Sequence, residues 1–80
     1  MTQPTINDAQ TVNDTITQRI RELLARSHMS VAGFADMCGI SRYSVDRWLH
    51  RGQIPSGYSI YLICAAFDVS ADWLLGLDRR

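Results

Sequence analysis

The chain has 80 residues, with eight Arg plus Lys balanced by eight Asp plus Glu, 46% apolar residues and two cysteines. That length holds one small core and excludes a catalytic domain beside it, and two cysteines make neither a disulfide framework nor a metal quartet. The longest apolar run, Ile60 to Phe67, falls far short of the roughly 20 residues of a membrane helix, and zero net charge leaves any polyanion binding to local patches rather than to the sum.

Residues 1–12 are polar, without a basic start or an apolar stretch, so a disordered leader is expected and a signal peptide is not. A first helix is predicted to start between Asn13 and Thr15, with Thr15 and Gln18 as a capping box, and to run to about Arg26. Its buried stripe is Ile16, Ile20, Leu23 and Leu24. Ser30 is a good N-cap for a second helix, Val31 to Cys38, and Gly39 suits the left-handed residue that ends it. Ser41 caps a third helix that Gly52 terminates. Ala35 lets these two helices cross closely, while Ile40, Val45, Trp48 and Leu49 turn inward.

On that third helix Arg42, Tyr43, Asp46, Arg47 and His50 share the opposite stripe, a row of hydrogen-bonding side chains suited to the edges of base pairs. All eight basic residues are arginine, a bias for which a GC-rich coding sequence is a better explanation than selection for binding. Three of them lie between Ser41 and Arg51 with a single aspartate, whereas Asp68, Asp72 and Asp78 gather toward the other end.

After Gly52, the connector Gln53-Ile54-Pro55-Ser56 blocks helical continuation, and a fourth helix runs to about Phe67. Ser70 caps a fifth, through Leu75, closed by Gly76. Ile60, Ile63, Cys64 and Phe67 give the fourth helix its core stripe. Its other face is apolar too, with Tyr58, Tyr61, Leu62 and Ala65, and Trp73 and Leu77 lie nearby in sequence. So small a domain has a core on one side only. Tyr58, Tyr61, Leu62, Trp73 and Leu77 are therefore expected to form a contact with a partner, most simply a second copy of the chain. Cys38 and Cys64 read as small core residues, which fits a reducing, cytoplasmic setting. His28 and His50 have no acid, nucleophile or metal set around them, so the chain is not expected to be an enzyme and no cofactor or metal is implied.

From Arg19 to Gly76 the chain resembles the Cro and phage-repressor family of helix-turn-helix proteins, also called the XRE family. The resemblance rests on Arg19-Ile20-Arg21-Glu22-Leu23, Phe34-Ala35, Gly39-Ile40-Ser41-Arg42, Val45 with Trp48, Gly52 with Pro55, and Val69 through Gly76. It covers about three quarters of the chain, and its pieces are specific only in combination. It implies an all-α, five-helix, lambda-repressor-like domain at residues 13–78 and a sequence-specific DNA-binding transcriptional regulator, a small Cro-like repressor of phage or prophage kind. Such a protein binds an inverted-repeat operator in double-stranded DNA as a homodimer.

By that resemblance Arg42, Tyr43, Asp46 and Arg47 would meet base edges, and Ser41, Ser44, His50, Arg51 and Arg19 would meet phosphates. Val31 stands where the family usually has Gln, and Asp68 where it usually has Gly. The alternative is a protein-interaction module, an antitoxin or antirepressor that keeps the scaffold and works through the apolar surface of the last two helices with a distinct protein partner.

Overall fold

A computed structural model describes residues 8–77, and among them are five α-helices and no strand: α1 (Asp8–Ser27), α2 (Val31–Cys38), α3 (Arg42–His50), α4 (Gly57–Phe67) and α5 (Ala71–Leu75). The all-α, five-helix expectation holds. α1 packs against α3 and α5, α2 against α3 and α4, and α4 against α5. Each helix thus covers one side of a single core built from Ile16, Ile20, Leu23, Phe34, Ala35, Cys38, Val45, Trp48, Leu49, Ile63 and Leu74.

α1 starts earlier than the sequence predicts, at Asp8 rather than between Asn13 and Thr15. The five added residues carry no helix breaker, and Val12 packs on the core one turn before Ile16, so the buried stripe extends through them. Residues 8–12 are therefore helix and not leader, and residues 1–7 lie outside the described part of the chain. Thr15 and Gln18 fall in mid-helix and cap nothing. Thr15 instead lies where a Cβ on Gly76 would come within 2.8 Å of its Cγ2. Gly76 has φ +79, so both the left-handed backbone and the close approach require glycine.

α2 is bounded as its sequence predicts. Ser30 Oγ accepts from the Gly33 N–H (3.1 Å), and at the other end Gly39 N–H donates to Asp36 O (3.2 Å) and Ile40 N–H to Ala35 O (2.9 Å). That pair of bonds is a Schellman closure, and it turns the chain straight into α3. Ile40, expected in the core, is half-buried and packs on its edge. Asp68 takes the left-handed conformation (φ 55) at the end of α4, adopting without glycine the turn for which the family usually uses one. α4 is capped by Ser56, whose Oγ accepts from the Ser59 N–H (3.1 Å), and α5 by Ser70, which accepts from the Trp73 N–H (3.0 Å).

Burial pushes the Cys38 thiol from 9.0 up to about 11, and the Cys64 thiol up as well. A folded value above the unfolded one means that the neutral thiol's contribution to stability is complete below about pH 9 and is lost as pH rises toward 11. Unfolding free energy measured in denaturant should accordingly fall more steeply between pH 9 and pH 11 in the wild type than in Cys38→Ala. Parallel pH profiles for the two proteins would contradict a buried, neutral Cys38.

Candidate nucleic-acid interface

α3 is built to present one face. Val45, Trp48 and Leu49 are buried, and Phe34, Ala35 and Cys38 of α2 are buried in the same core, so the opposite side of α3 has only solvent to meet. Arg42, Tyr43, Asp46, Arg47 and His50 are all exposed on it, Tyr43 to 79%. The predicted stripe is therefore one continuous surface. Beside it the first turn of α2 contributes Val31 and Ala32, which with Arg42, Tyr43 and Asp46 line an open depression of about 480 Å³. Val31 makes part of its apolar floor, at the position where a Gln is usual in the family.

Two of the hydroxyls expected near phosphates lie together at the start of α3. Ser41 Oγ accepts from the Ser44 N–H (3.2 Å) and hydrogen-bonds the Ser44 hydroxyl (3.1 Å), so the same pair caps the helix and faces outward from its end. Arg51 is exposed just past the other end, in the C-cap position. Among the described residues no ion pair engages Arg42, Arg47 or Arg51, which leaves three guanidinium groups along one surface ready for an anion. Asp46 Oδ1 lies 3.9 Å from His50 Nε2, one turn along the stripe.

Arg19 is placed elsewhere. Its guanidinium lies over the Trp73 ring, 4.9 Å from the centroid, and 3.9 Å from Glu22, on the side where α1 meets α5. Arg19 thus takes part in the packing between α1 and α5, where the Trp73 face offers it a cation–π contact that a one-dimensional pattern does not reveal. Trp73 is half-buried, and its ring packs on the core under Arg19. Tyr58 and Tyr61 do project from α4, 71% and 65% exposed, with their rings stacked 6.4 Å apart. Leu62 is half-buried, and Leu77 is exposed beyond the end of α5.

Two residues that serve this surface went unnoticed in the sequence. Thr17 Oγ1 donates to Trp48 O (2.9 Å), and Arg21 Nη2 donates to Leu49 O (3.2 Å), tying α1 to the end of α3. Their i, i+4 spacing along the polar edge of the α1 stripe was the available signal.

Among the described residues no helix is long and apolar enough to cross a membrane. Neither a curated protein nor a solved structure matches the chain. A helix-turn-helix family model matches residues 20–74, which takes in the last eight residues of α1, the whole α2–turn–α3 unit, α4 and most of α5. The chain belongs to the helix-turn-helix family of the Cro and phage-repressor (XRE) type, a family of DNA-binding transcription regulators.

Proposed function

We propose that the protein is a small cytoplasmic repressor of the Cro-like kind found in phages and prophages, which binds an inverted-repeat operator as a homodimer and occludes a promoter. The observation that carries this reading is the uninterrupted exposed stripe on α3, backed by a buried face that fixes its direction. In this reading α3 enters the major groove. Arg42 and Arg47 can each grip a guanine edge through two parallel hydrogen bonds, Asp46 can accept from a cytosine amino group, and Tyr43 adds a hydroxyl and a ring face to the same row. Ser41, Ser44, His50 and Arg51 flank that row and fix the register through phosphates.

The second copy is assigned to the Tyr58 and Tyr61 side of α4, because two exposed, stacked aromatic rings on so small a domain are better covered than solvated. In a two-fold dimer the two α3 helices would meet successive major grooves about 34 Å apart. Selection from a random duplex pool tests the whole reading. It should enrich an inverted repeat with half-sites one turn apart, and enrichment of no sequence would refute it. Tyr61→Glu places a charge in the proposed contact and leaves α3 alone, so it should yield a folded monomer in sedimentation with weakened operator binding. A wild type that stays monomeric at high concentration and on the selected duplex would remove the homodimer, and the two tyrosines would then favour the interaction-module reading with a distinct protein.

A further inference from the structure

The last four carbonyls of any helix lack a partner within it, and in a helix of nine residues they are nearly half of the backbone acceptors. In α3 the Arg47 carbonyl accepts from the N–H groups of Arg51 (3.0 Å) and Gln53 (3.2 Å) within its own turn. The next two carbonyls are satisfied from outside, Trp48 by Thr17 and Leu49 by Arg21. Asn13, buried one turn before Thr17, completes the row: its Nδ2 lies 3.8 Å from where a Cβ on Gly52 would stand, against the left-handed turn (φ +69) that ends the α3 segment. Asn13, Thr17 and Arg21 are spaced i, i+4 and i+8, so one polar edge of α1 runs alongside the C-terminal end of α3.

The two ends of α3 are consequently held by different means. At the start, the Ser41 cap and the turn from α2 fix the backbone locally. The other end has no Schellman closure and ends on Arg51 in an irregular conformation, and a helix this short has little stability of its own. Arg47, His50 and Arg51 sit on that half. We infer that Thr17 and Arg21 form a latch on α1 that fixes the seat and angle of the C-terminal half of α3 and thereby aims Arg47 and His50. The Arg21 guanidinium adds a positive charge at the negative end of the α3 dipole, which strengthens the contact in the same direction. Both are positioning residues. Their consequence for recognition rests on the DNA reading above, while the latch itself does not.

The test is the double variant Thr17→Val with Arg21→Met, which keeps the shape of both stems and removes both donors. Amide hydrogen exchange should accelerate about tenfold or more at residues 48–53, with the α2 and α5 amides unchanged, because the loss of two tertiary hydrogen bonds is confined to one end of one helix. Thr17→Ser with Arg21→Lys, which restores a donor at each position, should return most of the protection. Unchanged exchange at residues 48–53, or equal acceleration throughout all five helices, would overturn the latch. At a temperature where wild type and variant are both fully folded, the ratio of affinities for the selected duplex and for the same duplex with one pair exchanged opposite Arg47 should fall about fivefold. A loss of global stability alone would leave that ratio where it was, and an unchanged ratio beside accelerated exchange would overturn the aiming role. If the wild type selects no duplex, the DNA reading fails by itself, and the exchange profile still decides the latch.

Discussion

Trp48→Ala should be the most damaging single substitution in the chain, lowering stability by about 3 to 5 kcal/mol. Trp48 is 4% exposed and sits on the inward face of α3 between Val45 and Leu49, in the cluster that joins α1, α2 and α4. Its removal takes a large apolar area out of that cluster and leaves a cavity that short helices fixed by caps at their ends cannot close. Small domains have total stabilities of about 5 to 15 kcal/mol, so the expected loss is a large share of what holds this one together. The Trp48 carbonyl would still accept from Thr17, so the effect isolates packing from the latch. A thermal melt should show a drop in Tm of more than about 10 °C, whereas Tyr43→Ala on the exposed side of the same helix should stay within about 0.5 kcal/mol of wild type. An unchanged midpoint for Trp48→Ala would mean that α3 is rotated and that the stripe assigned to the groove is the wrong one.

The limits of the α2–α3 unit were legible because they are set by local chemistry. Ser30, Ser41 and Ser70 are side chains that accept from an amide three residues on, and Gly39 and Gly76 take left-handed backbone at the helix ends, so each announces itself within a few residues of sequence. The outward stripe of α3 was legible for the same reason, since period 3.6 sorts its nine residues unambiguously. Ser56, the last residue of the connector, caps α4 by the same rule.

What escaped the sequence is tertiary. The N-terminal extension of α1 follows the packing of Val12 on the core, one turn before Ile16, and Thr17 and Arg21 act on carbonyls 31 and 28 residues away. The contact of Arg19 with Trp73 joins residues 54 positions apart, and neither residue type announces the other along the sequence. The spacing of Thr17 and Arg21 marks a polar edge on α1 but does not name the distant carbonyls that the edge meets, and in this domain those contacts bear on how α3 is mounted.

Substituting Arg42 and Arg47 together by Ala should abolish sequence selection and leave the fold intact. Both side chains are exposed on α3 and neither is held by an ion pair among the described residues, so their removal opens no cavity and breaks no internal bond. Each guanidinium that reads a guanine is worth about 1 to 3 kcal/mol of discrimination at its own base pair, so the double variant should fall close to its affinity for unrelated duplex. Arg51→Ala provides the contrast. A phosphate contact carries no sequence information, so its loss should weaken all duplexes alike and make the dependence of log affinity on log salt shallower by about one unit. The three arginines lie within ten residues of one another and differ mainly in where they project, two from the stripe and one from the C-cap. Opposite signatures from such close neighbours would therefore trace to geometry and not to charge. Equal binding of the selected duplex by the wild type and the Arg42/Arg47 double variant would take α3 out of the groove, whatever else the protein does on DNA.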